Sequence, residues 1–70
     1  MTISEAVTEW RSKARRMGCV SAADWFCSRV AGFHPLRVHR YTEEGRYFGH
    51  VVATDDVIVV DLTPHLDAPP

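Results

Sequence analysis

Apolar residues recur at helical spacing in the first half of the chain and alternate in the second. Ile3, Val7, Trp10, Ala14 and Met17 fall on one helical face. The preceding Thr2-Ile3-Ser4-Glu5 has the form of a capping box, in which side chain and backbone satisfy each other's unpaired groups at a helix start. Gly18 is the predicted stop, with Glu5 in the first turn and Lys13, Arg15 and Arg16 in the last placed to suit the helix dipole. A second start signal follows in Ser21-Ala22-Ala23-Asp24. Ala22, Ala23, Phe26, Cys27 and Val30 form its apolar stripe and Gly32 its stop. Two antiparallel or crossed helices are expected.

Beyond Gly32 the period drops to two. Pro35 is read as a break, and Leu36 to Tyr41 as a strand leading into a Glu43-Glu44-Gly45 turn. Tyr47 to Thr54 and Val57 to Leu62 are two further strands joined by Asp55-Asp56. Pairing Ala53 with Ile58 sets a register in which His50 stands directly opposite Asp61. One sheet face then carries Phe48, His50, Val52, Val59 and Asp61. The other carries Val51, Ala53, Ile58, Val60 and Leu62, and is the better core face.

The expected fold is α+β: two N-terminal helices packed on a three-stranded antiparallel β-meander, a single domain over residues 1–64 with a flexible tail over 65–70. Val7, Trp10, Ala14, Phe26, Val30, Leu36, Val38, Val51, Ile58, Val60 and Leu62 form the expected core. Trp25 and Phe33 are candidates to join it or to support a dimer, as is Tyr47 for the dimer.

Length limits what such a fold can do. At 70 residues, with 46% hydrophobic and 24% charged content, the chain builds one thin core. The longest apolar run, Val57 to Val60, is far short of the roughly 20 residues that span a bilayer, and there is no secretory signal, so a cytoplasmic protein without membrane contact is expected. Net charge is −1, but its distribution is uneven. All eight basic residues lie between Arg11 and Arg46, against three acidic ones, giving that stretch +5. From Tyr47 onward there is no Lys or Arg. Arg11, Lys13, Arg15, Arg16, Arg37, Arg40 and Arg46 are therefore candidate binding residues, either for a protein partner or for phosphates. A solvated helix face explains the first four equally well.

Cys19 and Cys27 flanking one helix would stand about 12 Å apart, beyond disulfide reach, so both are read as thiols. Cys-x7-Cys and the scattered His34, His39, His50 and His65 match no metal-site spacing, so no metal or other cofactor is expected.

The order of three residues does carry chemistry. Gly18-Cys19 before the second helix, Phe48-Gly49-His50-Val51-Val52, and Val59-Val60-Asp61-Leu62-Thr63-Pro64 resemble the core of the papain-like and transglutaminase-like thiol enzymes over residues 18–64. The resemblance implies Cys19 as nucleophile, His50 as base and Asp61 as the group that orients it, in acyl transfer or hydrolysis. A helix N-terminus and an imidazolium both favour thiolate, and a carboxylate fixes the imidazole tautomer. Cys19 as a packed thiol, and His50 with Asp61 as a satisfied polar pair, are the structural readings of the same residues.

A chain that starts at a Met and ends in Pro69-Pro70 is expected to be a complete free-standing polypeptide, and this length leaves no residues to wall a substrate cleft. By size and general character it is similar to small accessory proteins of phages and mobile elements such as anti-CRISPR inhibitors. That comparison implies a protein, monomeric or homodimeric, acting in a bacterial host's cytosol by occupying the surface of a nucleoprotein or nuclease complex, with direct nucleic-acid binding as the alternative.

Overall fold

The computed structural model describes residues 1–13, 18–41, 44–45 and 47–63. Two helices, α1 (Ile3–Ser12) and α2 (Cys19–Arg29), precede three strands, β1 (His34–Tyr41), β2 (Tyr47–Thr54) and β3 (Val59–Val60). The strands form one antiparallel sheet in the order β1-β2-β3, so the fold is α+β.

α1 begins where its capping box predicts. The Thr2 hydroxyl accepts the Glu5 N–H at 3.1 Å, and the Glu5 carboxylate accepts the Thr2 N–H at 2.9 Å. The Thr2 N–H foremost, with the Thr2 hydroxyl beside it, holds the Glu5 carboxyl below its ordinary range. The helix closes at Lys13, whose ammonium reaches Glu9 one turn back at 2.7 Å. Ala14, Arg15, Arg16 and Met17 lie outside the described residues.

α2 starts earlier than its sequence signal. Gly18 is the N-cap and Cys19 the first helical residue, with the Ala22 N–H donating to the Gly18 carbonyl at 3.0 Å. Ser21 therefore sits inside the first turn instead of capping it. The earlier start places Cys19 on the stripe that continues through Ala22 and Phe26, of which the last two are buried. At the other end Gly32, at φ +85°, makes the left-handed turn that redirects the chain into β1.

β1 pairs with β2 without a bulge from His34 opposite Thr54 to Tyr41 opposite Tyr47. Pro35 is thus a strand residue, tolerated because β1 is an edge strand. Phe26, Trp25, Trp10, Ala6, Ala22, Val30 and Ala53 make the core, with Phe33, Val60 and Leu62 packed against it. Phe26 meets Phe33 edge-on at 5.1 Å, and Trp10 meets Trp25 at 5.4 Å. Phe33, Ala53, Val60 and Leu62 all share one face by alternation, so the helices lie on the Ala53 side of the sheet. The continuous register places Leu36 and Val38 on the opposite face from Val51 and Ala53, and Leu36 is 39% exposed. Leu36 and Ile58 thus stay at the surface, while Ala6, Ala22, Ala23, Val52 and Ala53 supply burial beyond the expected core. The small alanines let the helix and sheet backbones approach closely.

The β2–β3 register differs from the expected one by two residues. Ala53 faces Val60, and Thr54 faces Val59. The cause is the connection. Asp55 Oδ1 accepts the N–H groups of Val57 and Ile58, each at 2.9 Å. The Thr54 hydroxyl accepts the Asp56 N–H at 3.0 Å and donates to the Ile58 carbonyl at 2.6 Å. These side-chain bonds fold residues 55–58 into a turn before pairing can start. Asp56, at φ +75°, sits at its bend.

Replacing Thr2 by Ala removes the N-cap acceptor and should cost about 1 kcal/mol. Urea unfolding followed by circular dichroism measures that loss, with the native far-UV spectrum unchanged at zero denaturant.

Candidate functional site

His50 and Asp61 come together. His50 Nε2 lies 2.9 Å from Asp61 Oδ1, and the His50 side chain is only 1% exposed against 29% for Asp61. The contact is not the direct cross-strand pair that the sequence suggests. Extending the observed register puts Thr63 opposite His50 and Val52 opposite Asp61, so the two residues meet diagonally. The chain leaves β3 after Val60, and the Asp61 carboxylate also accepts the Thr63 N–H at 3.0 Å, a local turn that aims the carboxylate back at the imidazole. Thr63 is itself buried, with a hydroxyl that has no hydrogen-bond partner among the described residues.

Cys19 stands elsewhere. It is the first residue of α2, half-buried in the helix layer on the Ala53 side of the sheet. His50 is three residues before Ala53 on a strand without a bulge, so its side chain points to the other face. The sheet therefore separates Cys19 from His50 and Asp61, and no hydrogen bond joins Cys19 to either. The sequence order of the three residues reads as a triad; the alternation of β2 divides it. Cys27, on the same helix, is also a free thiol, and burial, with the Asp24 carboxylate adding to it, pushes its thiol pKa up.

The candidate basic residues fall on separate elements. Arg11 and Lys13 are exposed on α1, where Lys13 is engaged by Glu9. Arg37 is exposed on β1 and reaches across β2: its guanidinium lies 3.3 Å from where a Cβ on Gly49 would stand. Arg15, Arg16 and Arg46 lie outside the described residues, as does the side chain of Arg40. Arg29 stacks 4.6 Å over the Trp25 ring and serves the helix layer.

One feature escapes the sequence pattern altogether. The turn after β2 presents a run of β-branched side chains to solvent, with Val57 at 86%, Ile58 at 42% and Val59 at 60% exposure. Alternation marks these positions as strand, with Ile58 inward. The warning sign was Thr54-Asp55-Asp56, three residues that compete for backbone N–H groups and so delay the strand. Asp55 is held below the ordinary carboxylate range, first by the Ile58 N–H and then by that of Val57, with His34 adding a smaller electrostatic pull.

No group of three or more His, Cys, Asp or Glu placed to hold a metal ion occurs among the described residues. No described helix is long and apolar enough to cross a membrane. Comparison with protein-family models, with characterised proteins and with solved structures finds no match.

Two outcomes follow from this geometry. Asp61→Ala leaves a buried imidazole short of an acceptor or donor and should lower stability by about 1 to 3 kcal/mol. Asp61→Asn, which keeps an oxygen at that place, should lose less, and urea midpoints compare the two. Because the folded pKa of Asp55 is depressed, its contribution to stability is present above the ordinary carboxylate pKa and is lost as pH falls through the lowered value. Asp55→Asn should therefore flatten the acid limb of a plot of unfolding midpoint against pH.

Proposed function

We propose that this protein is a binding module that acts by occupying the surface of a partner protein. The observation that carries the reading is the exposed apolar knuckle of Val57, Ile58 and Val59 at the open end of a three-stranded sheet. Single exposed apolar residues are ordinary, but a contiguous β-branched run flanked by carboxylates fits the apolar centre and polar rim of a protein interface. Asp55 and Asp56, in the same turn, supply that polar rim.

The buried state of His50 favours this reading over a thiol enzyme. A general base must reach the proton it abstracts. An imidazole 1% exposed, held by Asp61 on the face away from Cys19, is suited to fixing the end of β3 instead. A nucleoprotein or nuclease partner, as the similarity to anti-CRISPR inhibitors implies, falls within the proposal as one kind of protein surface.

The test uses the tagged full chain as bait in an extract of the organism that encodes it, beside a Val57→Asp/Val59→Thr variant and a Cys19→Ala variant. The wild type and Cys19→Ala should retain the same protein, and the knuckle variant should lose it while keeping the native circular dichroism. Retention by the knuckle variant, loss in Cys19→Ala, or capture of nucleic acid that moderate salt releases would each overturn the proposal.

A further inference from the structure

The segment that forms β3 reads nearly the same when it is displaced by two residues. In the observed register Val60 stands opposite Ala53 and Val59 opposite Thr54. The continuation of that register places Leu62 level with Val51, and both Val60 and Leu62 pack against the core. A slide of two residues would put Ile58 in the place of Val60, and Val60 in the place of Leu62. The two places would then hold Ile and Val instead of Val and Leu, at unchanged volume, because Ile and Leu are isomers.

The other sheet face tolerates the same slide. Val57 would replace Val59 opposite Thr54, and Val59 would replace Asp61 beside the buried Val52. Asp61 would move from a diagonal to a direct position opposite His50, and the pair would stay together. An even shift sends no side chain to the wrong face. The hydrophobic pattern therefore accepts both registers, and the turn decides between them.

That turn is held by side chains. Thr54 and Asp55 make the four hydrogen bonds that shape residues 55–58, and β3 pairs with β2 through only two residues. Against those bonds stands the exposure of Val57 and Ile58, which the slide would reduce by seating Ile58 over Ala53. The loop left behind would be Asp55-Asp56. Asp56, at φ +75°, already holds the left-handed conformation that a two-residue hairpin loop favours at both positions. Hydrogen-bond and burial contributions of this kind are each small, so the two registers lie close in free energy.

We infer that β3 exchanges between these two registers, and that the slid one withdraws the knuckle of Val57, Ile58 and Val59 into the sheet. The turn thereby acts as a switch on the docking surface, a role that rests on the binding reading above. A partner that grips the knuckle selects the observed register, and the free chain populates both.

The test is NMR on the isotope-labelled full chain. Exchange experiments should detect a minor state of about 1 to 10% at Ala53, Thr54 and residues 57–62. Cross-strand NOEs of the major state should link Ala53 to Val60 and Thr54 to Val59. Thr54→Val/Asp56→Gly removes the hydroxyl bonds and installs an Asp-Gly loop, the dipeptide suited to a two-residue hairpin. It should make the slid register the major one, with Ala53 linked to Ile58 and position 54 to Val57. Ile58→Lys, at an exposed position of the observed register, cannot enter the place over Ala53 and should abolish the exchange. The inference is overturned if the wild type shows no exchange at these residues, if Thr54→Val/Asp56→Gly keeps Ala53 against Val60, or if exchange persists in Ile58→Lys. These measurements need no partner, so their failure is distinct from failure of the capture experiment. In that experiment Thr54→Val/Asp56→Gly should hold the captured protein about tenfold more weakly than Asp56→Asn, which removes the same charge. Equal retention by the two variants would overturn the switch, and a wild type that captures no protein would sink the docking reading and the switch with it.

Discussion

From His50 to Thr54 strand β2 is buried on both faces, and one of the residues it buries is a histidine. Val51 and Ala53 are covered on one side, while His50, Val52 and Thr54 are covered on the other. Burying an imidazole in a chain this small is costly unless its nitrogens are matched. Asp61 supplies a match from just beyond β3. The same carboxylate caps the Thr63 N–H, so one side chain ties the central strand to the end of the described chain. That tie lies just beyond β3 and beside the buried Thr63.

The turn before β3 sets how the tie is reached. Thr54 and Asp55 take up the backbone groups of residues 56–58, and pairing begins only at Val59. The delay has two consequences. It turns Asp61 into a diagonal partner of His50, and it leaves Val57, Ile58 and Val59 at the surface. Local polar chemistry thus creates the apolar knuckle on which the binding proposal rests, and the buried pair that looks catalytic in the sequence becomes part of what holds the knuckle's base.

Much of the architecture was legible in the residues. The capping box of Thr2 and Glu5, the helical stripe of α2 from Ala22 to Val30, the alternation of Tyr47 to Thr54, and the choice of the Ala53 and Val60 face for the core all follow from periodicity and short-range hydrogen bonding. The start of α2 did not follow. Both Gly18 and Ser21 are acceptable N-caps, and the earlier one prevails where the added turn extends the stripe that packs on the sheet. Pro35 likewise reads as a break until the strand it starts is known to lie at an edge.

The division between sequence and tertiary structure is sharpest at His50. A period of two determined which face each strand residue occupies, and a register shift of two residues leaves those faces unchanged, so the proximity of His50 and Asp61 survived an altered pairing. Which residue stood opposite which was beyond the pattern, because alternation is blind to shifts of an even number. Whether Cys19 could join the pair was beyond it too. Chain order places three residue types in sequence, but only the packing of α2 on the Ala53 side decided that the sheet lies between the thiol and the imidazole.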